Sequence, residues 1–233
     1  PNIETYLNSA LTAEEIIEYD FERIVLATGA TWRDDGIGRS MHQPIKRSTN
    51  AKVISVEDIL KGKTTTGHVV VYDDDYYYMA NVIAEKLVQD GNTVTYVTSN
   101  ASVASYTDAT LEFDHVMQRM LDLGIEIVCG HTIVEAGEGF ITTECIYTEK
   151  TKSYQANALI PVSNRVPDLL IDEALQSQAI AGENAIKSIH QIGDCQTPGT
   201  IAAAVYSGHL YARQLDNPVD QLYGFKRENY QVF

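Results

Sequence analysis

From His68 onward the apolar positions keep a regular rhythm. His68 to Tyr72 is a β-rich run. It is followed by Tyr76 to Asp90, where Met79, Val82, Ile83 and Leu87 recur on one helical face until Gly91 stops the pattern. Thr93 to Thr98 reads as a second strand. Thr110 to Leu123 reads as a second helix, with Phe113, Met117, Met120 and Leu121 inward and Gly124 at its end, and Ile125 to Val128 as a third strand. Strand, helix, strand, helix, strand at this spacing predicts a doubly wound half-unit with right-handed crossovers. From Thr132 the period drops to two. Thr132 to Ala136, Phe140 to Tyr147 and Ser153 to Gln155 alternate around Gly137-Glu138-Gly139 and a charged turn at Glu149-Lys150, which predicts a small antiparallel meander.

The flanks are sparser. Thr12-Ala13-Glu14-Glu15 is a capping box opening a short helix that ends near Tyr19. Arg23 to Ala27 reads as a buried strand stopped by Thr28-Gly29, and Trp32 to Asn50 as a loop and crossover without period. Ser55 caps a short helix closed by Gly62. After the meander come a buried strand at Ala158 to Val162, a helix at Asp168 to Gln176 and a strand at Ser188 to Ile192. A helix over Pro198 to Leu215 carries a small-residue face at Ala202, Ala203 and Ala204, and a polar tail starts at Asp216.

Composition narrows the function classes. Among 233 residues, 44% are hydrophobic and 21% charged, as in an ordinary globular protein. A net charge of −15 argues against a nucleic-acid partner, which would need clustered Lys and Arg. No apolar run approaches the roughly 20 residues of a membrane span. The start at Pro1, without initiator Met or signal peptide, reads as a piece of a longer chain. Cys129, Cys145 and Cys195 are scattered, with no C-x-x-C spacing for an iron–sulfur cluster or structural zinc, and suit a reducing cytoplasm. Cys129-Gly130-His131 is read as a strand-end thiol beside a surface imidazole rather than a metal pair, since no third ligand is in view. No metal site is expected at Asp73-Asp74-Asp75 either, because adjacent strand-end side chains diverge.

Three patterns occur in a fixed order: a strand with Ala27-Thr28-Gly29, the strand–helix–strand unit from His68, and Ile192-Gly193-Asp194 before the last helix. Together they resemble the pyridine-nucleotide disulfide reductase architecture. Ala27-Thr28-Gly29-Ala30-Thr31-Trp32-Arg33, then Tyr72-Asp73-Asp74-Asp75-Tyr76-Tyr77-Tyr78-Met79, then Ala84-Glu85-Lys86-Leu87 resemble the trimethylamine, dimethylamine and histamine dehydrogenases. The resemblance implies an α/β fold of Rossmann-like three-layer domains. A NAD-like domain, residues 51–162, would be inserted into an incomplete FAD-like domain, residues 1–50 and 163–233. It also implies an amino-terminal TIM barrel with FMN and an iron–sulfur cluster, absent from this sequence, and electron transfer to an electron-transferring flavoprotein. Homo-oligomers are expected as well.

Glycines after strands let backbone approach a pyrophosphate closely. Gly29 and Gly193 hold such positions, and by resemblance Asp194 and Thr28 would lie beside ADP or FAD, with Thr200 adding a hydroxyl. A purely conformational role for both glycines, with Asp194 as a cap, is the competing reading. No catalytic residue is expected. None of the histidines, His42, His68, His115, His131, His190 and His209, falls in a Ser or Cys motif. Tyr76, Tyr77 and Tyr78 are expected to open a helix and fan around it. In the NAD-like unit the three fingerprint glycine positions hold Asp73, Asp75 and Tyr78. A carboxylate about 4 Å from a phosphate opposes it by roughly 4 kcal/mol at an effective dielectric near 20. A helix N-terminus offers about 0.3 to 1 kcal/mol in return, up to about 2 in partly buried geometry. No Asp, Glu, Lys or Arg stands between Gly91 and Thr107 to read a ribose.

The expectation is therefore an ADP-holding, acceptor-docking module of an amine dehydrogenase, inactive alone. The alternatives are a segment of an NAD(P)H-dependent flavin reductase of the dienoyl-CoA reductase type, and a structural module with vestigial sites.

Overall fold

The computed structural model describes residues 3–181 and 184–215, so the expected tail from Asp216 lies outside the described residues. The chain forms two compact units, residues 1–30 with 167–233 and residues 31–166.

In the first unit, Thr12 Oγ1 accepts the Glu15 N–H while the Glu15 carboxylate takes the Thr12 N–H at 2.8 Å, forming the capping box of α1 (Ala13–Glu18). β1 (Arg23–Leu26) alternates, turning Ile24 and Leu26 inward. Short β2 (Ala30–Trp32) leads across the unit boundary.

The second unit opens with β3 (Lys46–Arg47) and then α2 (Val56–Leu60), capped as expected by Ser55, whose Oγ accepts the Asp58 N–H. β4 (His68–Asp73), α3 (Met79–Gln89), β5 (Thr93–Thr98), α4 (Phe113–Asp122) and β6 (Glu126–Cys129) follow the rhythm read from the sequence. β7 (His131–Gly137), β8 (Phe140–Cys145) and β9 (Thr151–Gln155) form the antiparallel meander, and β3 joins it parallel to β7. β10 (Ala158–Val162) returns to the main sheet, which is wholly parallel in the order β10-β4-β5-β6. β4 is buried on both faces, which is why its sequence is a continuous run rather than an alternation. Its two sides face different clusters. Val69 and Val71 pack with Ile83, Leu87 and Ile160, whereas Val70 and Tyr72 pack with Ile45, Ile133 and Ile141.

β11 (Arg165–Pro167) crosses back, and α5 (Leu170–Ala181), β12 (Ser188–Gln191) and α6 (Ile201–Gln214) complete the first unit. Its core is small: Ala13, Ile24, Leu26, Leu175 and Cys195 are buried together. No residue of α6 is buried, so its alanine face is not a core face.

Several expectations need correction. α3 starts at Met79, because Tyr76 adopts a left-handed φ of 67° and breaks the helical path, so the three tyrosines precede the helix instead of fanning around it. Val82 and Leu121 are exposed, and Ala80, Asn81 and Ala84 fill the inner face of α3. The stretch read as loop, Trp32 to Asn50, contains β3. Among the described residues no helix is long and apolar enough to cross a membrane.

Candidate functional site

In the second unit the sheet order reverses between β4 and β10, and open α/β sheets hold ligands outside the carboxyl ends of strands at such a point. Here the chain occupies that place itself. The Asp74 and Asp75 N–H groups both donate to the Val162 carbonyl, at 2.9 and 3.2 Å. The buried Asp74 carboxylate accepts the Ser40 N–H at 3.0 Å, the Ser40 hydroxyl, the Tyr76 hydroxyl at 2.9 Å and the Ser99 hydroxyl at 3.3 Å. Ser40 also meets the Tyr72 hydroxyl at 3.1 Å. The loop that delivers Ser40 approaches so closely that a Cβ on Gly38 would sit 2.3 Å from Asp74 Oδ2.

Asp73 faces the other way. Its carboxylate accepts the Tyr76 N–H at 2.8 Å and the Tyr96 hydroxyl at 2.6 Å. Burial pushes its carboxyl up to about 7, against the pull of the Tyr96 hydroxyl and the backbone of Tyr76 and Ala104. Burial and the Asp73 charge in turn raise the Tyr96 phenol. Asp75 is only half-buried, and burial raises its carboxyl while Arg165 and Arg39 oppose the shift. From the other side the segment after β5 folds over the turn. The Tyr106 N–H donates to the Tyr76 carbonyl at 2.9 Å, and the Tyr77 and Tyr106 rings meet edge-on at 5.4 Å. The turn is therefore filled by side chains of two loops. Asp73 and Asp74 are buried in protein hydrogen bonds, so they would hinder a pyrophosphate by occlusion more than by the open charge repulsion expected from sequence.

In the first unit β1 and β12 pair in parallel, with Arg23 opposite Ser188 and Leu26 opposite Gln191, and the Ile192 N–H donates to the Leu26 carbonyl. Two residues past each strand end come Thr28 and Gly193, so Thr28-Gly29 and Gly193-Asp194 emerge side by side at one edge. Both glycines have positive φ, 84° and 66°. A Cβ at Gly29 would meet nothing within 4 Å, and one at Gly193 only the Ala204 Cβ at 3.7 Å. The Thr28 hydroxyl donates to the Asp168 carbonyl at 2.7 Å, and the Asp168 N–H returns to the Gly29 carbonyl at 3.0 Å. Asp194 Oδ1 accepts the Gly199 N–H at 3.1 Å, and Thr200 caps α6 through the Ala203 N–H. All five expected residues lie within two short segments and one helix start. The backbone at Gly29 and Gly193 is therefore not crowded by neighbouring side chains.

Among the described residues no group of three or more His, Cys, Asp or Glu is arranged to hold a metal ion. Sequence reasoning missed Gly38, Ser40, Tyr96 and Ser99, and Gly38-x-Ser40 carries no local signal that it closes on Asp74.

Residues 54–166 match the family described as the OYE-like second alpha/beta domain. Dimethylamine dehydrogenase from Hyphomicrobium sp. (strain x) is 28% identical, over 89% of this chain and 31% of its own length. The structure of histamine dehydrogenase from Rhizobium sp. 4-9 superposes over 100% of this chain and 36% of that one, with 36% identity and a TM-score of 0.91. That of 6-hydroxypseudooxynicotine amine oxidase from Pseudomonas geniculata N1 covers 90% of this chain and 31% of that one, with 34% identity and a TM-score of 0.84. The chain spans about a third of the length of these relatives. It is homologous to one portion of the dimethylamine and histamine dehydrogenases, and its central part matches the OYE-like second alpha/beta domain.

Proposed function

We propose that this chain is the nucleotide-fold portion of a flavin-dependent amine dehydrogenase and does not turn over amine by itself. In this reading the first unit is the incomplete FAD-like domain and holds ADP, or FAD, beside Thr28, Gly29, Gly193, Asp194 and Thr200. The two glycines would let the backbone approach the diphosphate, and Asp194 and Thr200 would orient it. The observation that carries the reading is the parallel register of β1 and β12, which sets Gly29 and Gly193 at one edge. The second unit would be the NAD-like domain, its strand order β6-β5-β4-β10 matching a doubly wound half. FMN and an iron–sulfur cluster would belong to an amino-terminal TIM barrel of the parent, and an electron-transferring flavoprotein would take the electrons. Oxidation of amine would be chemistry supplied by that flavin.

The reductase alternative requires NAD(P)H at the turn after β4, where Asp74, Ser40, Tyr76 and Ser99 fill the space. Titrating the isotopically labelled chain with ADP and NADH tests both readings. Saturable ADP shifts at the Gly29 and Gly193 amides are expected, with a Kd of order 1 mM, corresponding to about 4 kcal/mol. Gly193→Val should remove them. ADP shifts confined to other residues, or micromolar NADH binding at residues 73–78, would overturn the assignment.

A further inference from the structure

Between α3 and α4 in the second unit lies an open groove of about 340 Å³ that the nucleotide reading does not use. That volume is within the range of small-molecule sites. Its floor is apolar, with Met120 and Ile125 buried and Val116 and Leu123 partly so, and Val82 stands in it 44% exposed. A valine left in water inside a groove of this size gains from a ligand that covers it.

The polar groups are unevenly placed. At one end Arg119 is tied to Glu85, with Nε and Nη2 both on Oε1 at 3.1 and 2.5 Å, so its charge is matched. At the other end stands Glu112, exposed, which accepts the Thr110 hydroxyl at 2.5 Å. Tyr78 lines the groove together with Glu112, and its ring is held against that of Tyr77 at 4.6 Å. A carboxylate beside aromatic faces is the chemistry that attracts an organic cation. The Asn81 carboxamide on the floor is a second sign. It is 8% exposed, yet its amide donates to the Met120 sulfur at 2.8 Å, a weak acceptor. Its oxygen takes only a 3.3 Å bond from the Tyr96 hydroxyl, whose 2.6 Å bond goes to Asp73. A buried amide so weakly served calls for a further partner.

We propose that the α3–α4 groove binds a small aryl- or alkylammonium ion, its apolar body over Val82 and Met120 and its charge at Glu112 and the Tyr78 ring. A heteroatom on the body would meet Asn81. The inference stands whether or not the first unit holds a nucleotide.

The probe is 2-phenylethylammonium, added to the chain labelled at Val, Leu and Met methyls, with 2-phenylethanol and 3-phenylpropionate as neutral and anionic counterparts. Saturable shifts are expected at Val82, Val116 and Met120, with the cation binding at least about tenfold tighter than either counterpart. Glu112→Gln should erase most of that preference while leaving the alcohol unaffected. Val82→Trp, at an exposed position, should fill the groove and remove binding with the unfolding midpoint unchanged. Equal or tighter binding of the propionate would overturn the proposal. So would shifts elsewhere, no saturation up to about 10 mM, or concentration-dependent broadening of the groove methyls without ligand, which would assign the face to a second copy of the chain.

Discussion

Ser40 and Asp74, 34 positions apart, meet twice: the Asp74 carboxylate accepts both the backbone N–H and the hydroxyl of Ser40. A buried carboxylate with this many donors works as a latch on the loop. Asp74→Ala should leave the Ser40 N–H without its acceptor and the Tyr76 hydroxyl with only Ser99, and cost about 2 to 4 kcal/mol. Asp74→Asn, which keeps one acceptor oxygen, should cost less. Urea unfolding of the two variants gives the comparison, and equal stabilities would remove the latch from the account.

Asp73 predicts a pH dependence of a particular sign. Its carboxyl, pushed up to about 7 by burial, stays protonated in the folded chain where the unfolded chain has released its proton, above about 4. The folded state therefore binds more protons between about pH 4 and 7. This group's contribution to stability is greatest at the acid end, declines by up to roughly 1.4 kcal/mol per pH unit, and levels off above about 7. Asp73→Asn should remove that decline. The difference between wild type and variant, followed from pH 5 to 8 by chemical unfolding, isolates it from carboxylates such as Asp35 that Arg33 holds low.

Leu111 is 88% exposed with a φ of 61°, so its side chain gains nothing from burial and strains the backbone. Leu111→Gly should raise stability by about 0.5 to 1 kcal/mol, the left-handed relief exceeding the added chain entropy. A lower thermal midpoint would mean that the side chain has a role the packing does not reveal.

Gly38 and Gly29 separate two reasons for glycine. At Gly38 a Cβ collides with Asp74 Oδ2, so Gly38→Ala should cost about 1 to 3 kcal/mol by overpacking. At Gly29 there is open space, and Gly29→Ala should cost only the left-handed penalty of about 1 kcal/mol. Calorimetry on both variants, with Gly38→Ala the less stable, checks the distinction.

The long repeating segments were readable because burial imposes their period: β4, β5 and the meander follow from the chain alone. The start of α3 was not, since Tyr76 is turned left-handed by a side chain three residues back, Asp73 Oδ1, which receives its N–H. Periodicity also offered two apolar stripes on α3 and α4, and only tertiary packing decides that Asn81 goes inward while Val82 and Leu121 stay in water. The strand-end glycines were visible as local punctuation. Ser40 was invisible because its meaning comes from a residue 34 positions later.

The unburied surface of α6 has a kinetic consequence. β4 is enclosed on both faces, so its amides should exchange with deuterium only through global opening. α6 has no buried side chain, and Ile201 and Val205 are 74% and 53% exposed, so its amides should exchange through cheap local fraying. Anything that comes to lie on Ile201 and Val205 would then be visible as slowed deuterium uptake in that helix, against a β4 signal that does not move.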